Sequence, residues 1–181
     1  FFSSPAVIDS VVYAGNVDGR LYAIGNPAPH EMEPTVVVPP TPGGQTATPT
    51  PVARTPQAIP THGWRTPVAG AGDVPMFRVD PARTGQMPGP GPDWTQTIGA
   101  LWSFSTGGFV CSSPAVVDGV VYIGNSDGSL YAIDAVTGEK RWAFPTGERI
   151  VSSPAVVDGV VYASSLDGFP YAIDVTTGQQ V

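Results

Sequence analysis

The segment Ser112-Ser113-Pro114-Ala115-Val116-Val117-Asp118-Gly119-Val120-Val121-Tyr122 recurs without change forty residues later, from Ser152 to Tyr162. A third copy, Ser3 to Tyr13, differs only at Ile8 and Ser10. Each copy runs on into a polar turn that ends in Asp-Gly (Asn16 to Gly19, Asn125 to Gly128, Ser165 to Gly168). Tyr-Ala-Ile then follows at 22–24, 131–133 and 171–173. A fixed period of this length marks a repeat architecture, in which each unit buries its apolar surface against its neighbours.

Within one unit, β-branched and aromatic residues come in bursts of four or five separated by turn dipeptides, so the unit reads as short antiparallel strands. Pro114 to Val117 is the first strand. Asp118-Gly119 supplies the positive φ angles of a two-residue hairpin turn and returns the chain as Val120 to Ile123. Asn125 to Gly128 turns it again into Ser129 to Ile133, and after a wider turn at Asp134 to Gly138 the fourth strand is Lys140 to Phe144. Four strands in about forty residues make one propeller blade. The expected fold class is therefore all-β, with essentially no helix.

The stretch Tyr131-Ala132-Ile133-Asp134-Ala135-Val136-Thr137-Gly138-Glu139-Lys140-Arg141-Trp142 resembles the tryptophan-docking motif of PQQ-like β-propeller repeats, the blades first known from quinoprotein alcohol dehydrogenases. The resemblance spans roughly residues 1–24 and 74–181. It implies that Trp142, and Trp102 in Leu101-Trp102-Ser103-Phe104, stack between neighbouring blades, and that the Thr-Gly turns at Gly138 and Gly178 carry the chain to the outer strand. It is specific for the fold and much less so for function.

The repeat is interrupted. Between Gly25 and Gly70 the periodicity vanishes and Pro-Pro, Thr-Pro and Gly-Gly pairs take over, as in Val36-Val37-Val38-Pro39-Pro40 and Thr48-Pro49-Thr50-Pro51, a polyproline-type linker. Val36, Val37 and Val38 are its expected apolar anchor against a blade, and Thr41, Thr48, Thr50 and Thr55 are candidate O-glycosylation sites beside prolines. Met76 to Gly85 is similar to the segment that opens many PQQ-like propellers before their first blade. The expected organisation is residues 1–26 as the end of one blade set, 27–73 as linker, and 74–181 as the start of a second set with two blades.

Three triplets of strands are visible, at 4–24, 113–133 and 153–173, against two Trp-bearing strands at 101–104 and 140–144. Val181 aligns with Arg141 and Phe1 with Ile150, so residues 142–149 have no counterpart in the third unit. Three blades cannot close a ring, since known propellers use about four to eight, and open arrays leave apolar faces and strand edges uncovered. Either the sequence is part of a longer protein or copies complete one another. The strand around Trp102 completes a blade of another chain, or the linker brings it back to residues 4–24 of its own. A heterologous contact would then give a ring or a fibre.

Composition limits the chemistry. A net charge of −7 with a single Lys and seven scattered Arg offers no basic face to a nucleic-acid backbone. No apolar run approaches the roughly 20 residues of a membrane-spanning helix. One cysteine, Cys111, rules out an internal disulfide and a Cys-based zinc cluster, and it reads as a buried, inert thiol beside a strand. His30 and His62 lie in the linker without ligand partners. The turns Asn16 to Gly19 and Asn125 to Gly128 superficially match calcium loops, but no Glu follows at the required spacing, and Asn, Asp and Gly are what hairpin turns need.

A quinone-dependent dehydrogenase of this family would bring a redox quinone, a calcium ion, a catalytic Asp and, in many members, a disulfide of adjacent cysteines. The disulfide is impossible here. The repeat accounts for Asp9, Asp118 and Asp158 as hairpin-turn residues and for Asp134 and Asp174 as docking-turn residues. The expectation is therefore a non-enzymatic chain with no cofactor and no metal site. It reads as a structural or adhesive protein outside the cell, the periplasm being the alternative compartment, that assembles with copies of itself into a filament, sheath or array. A protein-binding scaffold or sensor ectodomain is the second reading, and a fragment of a quinone-dependent dehydrogenase the third.

Overall fold

The computed structural model describes residues 4–27, 35–36 and 90–181. Twelve strands run in chain order: β1 Ala6–Ile8, β2 Val11–Gly15, β3 Arg20–Gly25, β4 Thr35–Val36, β5 Gly99–Ser105, β6 Ala115–Val117, β7 Val120–Gly124, β8 Ser129–Asp134, β9 Lys140–Pro145, β10 Ala155–Val157, β11 Val160–Ser164 and β12 Pro170–Asp174. There is no helix among the described residues. They form three sheets, in the orders β1-β2-β3-β5-β4, β6-β7-β8-β9 and β10-β11-β12. We call these blades 1, 2 and 3.

The repeat sequence dictates the hairpins. Asp118 and Gly119 sit at φ 49° and 68°, Asp158 and Gly159 at 49° and 76°, and Asp9 and Ser10 at 47° and 65°. Two successive positive φ angles give the tight turn whose twist matches that of the strands it joins. The register is the same each time, Ala115 facing Tyr122 and Val117 facing Val120, with Ala155 and Tyr162 or Ala6 and Tyr13 in the equivalent places.

The strand carrying Trp102 belongs to its own chain's first blade. β5 runs antiparallel to β3, with Ala23 opposite Trp102, as β9 does to β8 with Ala132 opposite Trp142. Both pairs carry the same irregularity, between Ala23 and Ile24 and between Ala132 and Ile133. β4 adds a short parallel strand outside β5, Thr35 facing Trp102 and Val36 facing Ser103. Val37, Val38, Thr41, Thr48, Thr50, Thr55, His30, His62 and the segment 76–85 lie outside the described residues. In blade 3 the fourth strand is represented by a single bridge, Ile173 to Gln180.

The core lies between sheets rather than within them. Each blade has one apolar face toward each neighbour, because side chains alternate along a strand. Tyr13, Leu21 and Ala23 of blade 1 pack with Val121, Ile123 and Ile133 of blade 2. Val120, Tyr122 and Leu130, on the opposite face of blade 2, pack with Val161, Tyr171 and Ile173 of blade 3. Close approach requires glycine inside each interface: a Cβ on Gly15 would collide with Val110 and one on Gly124 with Ile150.

Gly119 and Gly124 therefore separate two uses of glycine. At Gly119 an added methyl meets open space at a positive φ, so Gly119→Ala should cost about 1–2 kcal/mol. Gly124→Ala should cost more, about 1–3 kcal/mol from overpacking with the transmitted shift of blade 3 in addition, and Ile150→Ala should relieve part of it. Urea unfolding of the single and double variants checks this; strict additivity of Gly124→Ala and Ile150→Ala would contradict the packing.

Candidate functional site

The residues that recur at forty-residue spacing converge on the seams between blades. Trp102, on β5 of blade 1, is almost wholly buried, at 4% exposure. Its indole lies on the blade 2 turn, where a Cβ on Gly138 would fall 2.7 Å from the ring. Its Nε1–H donates to the Ala135 carbonyl at 3.0 Å, which also accepts the Tyr13 hydroxyl at 3.1 Å. The next seam repeats the arrangement: Trp142 lies on the blade 3 turn, where a Cβ on Gly178 would fall 2.8 Å from the ring, and its Nε1–H donates to the Val175 carbonyl at 2.9 Å. The ring pairs Tyr13–Trp102 and Tyr122–Trp142 have the same centroid distance, 5.9 Å, and the same 46° tilt. Trp142 is half-buried where Trp102 is buried, and the sheet beyond it has three strands where the sheet beyond Trp102 has four.

The receiving turn is shaped by an aspartate. The Asp134 carboxylate accepts the N–H groups of Val136 (2.9 Å) and Thr137 (3.0 Å) through Oδ1 and the Arg141 guanidinium (2.8 Å) through Oδ2. Gly138, at φ 74°, donates its N–H to the Asp134 carbonyl. The Arg141 hydrogen bond, with those backbone donors, pulls the Asp134 carboxyl from 3.8 down to about 2. In blade 3, Asp174 accepts the N–H groups of Thr176 and Thr177 and the Thr177 hydroxyl, and its pKa is lowered, chiefly by Thr177.

A second fastening is not legible as such in the sequence. Asp127, in the turn of blade 2, accepts the Tyr131 hydroxyl at 2.7 Å and, from the preceding blade's loop, the Gly107 N–H at 3.0 Å. Asp167 does the same with Tyr171 (2.7 Å) and Gly147 (2.8 Å). Burial, followed by the hydrogen bond to Asp127, raises the Tyr131 hydroxyl to about 12. Burial likewise raises Tyr13 and Tyr122 to about 12, with the nearby Asp9 and Asp134 carboxylates adding to the effect at Tyr13. The sequence signal for this clamp is Asp-Gly-x-x-Tyr downstream of a Thr-Gly loop. A third contact runs along the innermost strands, where Ser4 N–H donates to Ser113 Oγ at 2.9 Å and Ser113 N–H to Ser153 Oγ at 3.0 Å.

The arrangement holds sheets face to face. Its polar groups act on one another: among the described residues no buried side-chain polar atom lacks a partner, and no group of three or more His, Cys, Asp or Glu side chains is placed to hold a metal ion. Cys111 is a free, partly buried thiol.

Residues 92–181 match the family described as outer membrane protein assembly factor BamB. No curated protein matches the chain. Among solved structures, BamB from Moraxella catarrhalis superposes with a TM-score of 0.53 at 13% identity, covering 98% of this chain and 33% of that one. The quinohemoprotein alcohol dehydrogenase ADHIIG from Pseudomonas putida HK5 gives 0.52 at 19% identity, covering 99% of this chain and 19% of that one. A europium-containing methanol dehydrogenase gives 0.52 at 16% identity, covering 98% and 23%. The chain thus spans about a third or less of these three structures, and at these identities the likeness is one of fold.

The seam contacts give two expected outcomes. Trp102→Ala should lower the unfolding free energy by about 3–5 kcal/mol and Trp142→Ala by less, because its side chain is already partly exposed; urea denaturation checks the order, and equal losses would contradict it. The Asp134 carboxylate stabilises the fold above its unfolded pKa of 3.8, and that contribution is lost as pH falls from 3.8 toward 2. Asp134→Asn should flatten the dependence of the urea midpoint on pH in that window while lowering stability at pH 7.

Proposed function

Because this chain is a PQQ-like β-propeller repeat protein, we propose that it works as a non-enzymatic scaffold, exported from the cytoplasm, whose activity is to present and join blade surfaces. One observation carries this reading: among the described residues, the aspartates that recur in the repeat are used by the repeat itself. Asp118 and Asp158 hold positive φ in hairpin turns, Asp127 and Asp167 clamp a tyrosine and a neighbouring amide, and Asp134 and Asp174 shape the turns that receive tryptophan.

The matched family is described as an outer membrane protein assembly factor, and an assembly role suits a chain whose recurrent residues fasten sheets. That family description and the acidic, lysine-poor composition support an exported setting, in the periplasm or at the cell surface. The Pro/Thr-rich linker, with Val36 to Val38 as anchor and glycans on Thr41, Thr48, Thr50 and Thr55, acts in this reading as a strap along the blades. Assembly with further copies of the chain into an array completes it.

The dehydrogenase alternative is tested directly by adding pyrroloquinoline quinone with Ca²⁺ to the purified chain. The scaffold reading expects an unchanged melting temperature and no retained quinone absorbance after desalting. Stabilisation of about 3 kcal/mol at a hundredfold excess over a dissociation constant, the size linkage demands of a bound cofactor, would overturn it.

A further inference from the structure

We propose that the outer edge of β9 in blade 2 is a strand-accepting site, and that its occupant is an extended segment of a partner protein with a carboxylate level with Lys140 and β-branched residues after it. The proposal rests on the scaffold reading and names the site and the chemistry of what it takes.

The equivalent edge is occupied in blade 1. β5 and β9 pair with the third strands of their blades in the same register and with the same irregularity. β5 receives β4 on its other side as a parallel strand, Thr35 facing Trp102 and Val36 facing Ser103, whereas β9 has no such neighbour among the described residues. The two edges differ in cover: Leu101 and Ser103 are half-buried, and their counterparts Arg141 and Ala143 are exposed. Blade 2 packs against blade 1 on one face and blade 3 on the other, so the edge of β9 owes nothing to where the chain begins or ends.

The backbone of β9 limits what can be added. Thr146 donates its N–H inward, to the Gly128 carbonyl beside the start of β8. Successive backbone groups of a strand point to opposite edges, so the Ala143 N–H points outward. Position 145 also points outward, and proline there leaves no N–H to bond. The accepting stretch therefore runs from Lys140 to Phe144 and stops. A strand added to such an edge is held main chain to main chain, and its side chains decide which strand is taken. Lysine and proline on an edge discourage indiscriminate pairing, so an occupant must bring a group that meets Lys140.

Charge supplies that selection. Lys140 is exposed, while the adjacent Arg141 is held by Asp134 at 2.8 Å. Thr35-Val36 stands in the sequence Glu31-Met32-Glu33-Pro34-Thr35-Val36-Val37-Val38. A peptide of that sequence laid on β9 in the register of β4 brings Glu33 level with Lys140, and the uncharged Met32 level with Glu139. On β5 the same count sets Glu33 against Ala100, which carries no charge. β9 thus offers the edge geometry that takes a strand in blade 1, with a cation that β5 lacks.

Calorimetric titration of the 181-residue chain with a synthetic peptide of residues 31–38 tests the proposal. The expected result is saturable one-to-one binding. Lys140→Glu should weaken it about fivefold or more, the size of an exposed ion pair lost and replaced by a repulsion, and a Glu33→Lys peptide should recover binding to that variant. Ala143→Pro should abolish binding by removing the outward N–H, with circular dichroism unchanged; should that variant lose its fold, the charge swap decides alone. Three results would overturn the proposal: no saturable binding, binding indifferent to Lys140→Glu, or self-association of the chain that Lys140→Glu abolishes, which would put a second copy on the edge. None of them bears on the quinone test, so the scaffold reading can stand or fall separately.

Discussion

A tryptophan ring resting on a glycine turn of the next sheet is the contact on which the stacking of these blades depends. A blade of short strands is apolar on both faces and cannot be stable alone, so the contacts between sheets decide whether the hairpins persist. Gly138 meets two demands at once: its φ of 74° suits glycine, and the Trp102 ring leaves no room for a Cβ. The indole N–H then fixes the ring to the Ala135 carbonyl, which keeps a buried donor satisfied. Because the tryptophan sits on the strand that pairs with the third strand of its blade, completing that blade and gripping the next are a single event.

The polar clamps work by the same economy. Asp134 sets the turn that Trp102 rests on, and Asp127 ties Tyr131 to an amide of the preceding loop. Each aspartate thus serves its own hairpin and the neighbouring sheet together. This explains why so much of the unit recurs unchanged: a residue with two partners in different blades is constrained by both.

What can be read from the sequence follows sequence distance. The hairpins at Asp118-Gly119 and Asp158-Gly159 are local, and their turn chemistry names them. Trp142 and Gly178 can be named from the motif, because both stand in a recognisable pattern. The sequence leaves β5 open between its own chain and another, since its pairing with β3 spans the whole linker and nothing local encodes a contact of that range. The Asp127–Tyr131–Gly107 clamp escapes because Asn125 to Gly128 is sufficiently explained as a turn, and the third partner lies twenty residues upstream in a different sheet.

The position of the linker also has a physical logic. Residues 26–98, 73 in all, stand where blade 2 has the five residues 135–139 between its third and fourth strands. Loop-closure entropy grows only logarithmically, so this lengthening costs about 2–3 kcal/mol. Asn26 offsets part of it at the base of the loop: its side-chain amide donates to the Asp93 and Thr97 carbonyls, and its oxygen accepts the Asp93 N–H at 2.8 Å. Strand β5 consequently keeps the register that β9 has, and Trp102 reaches Gly138 as Trp142 reaches Gly178. Blade 1 gives a tryptophan forward to blade 2 as blade 2 gives one to blade 3, so the run of described blades is polar.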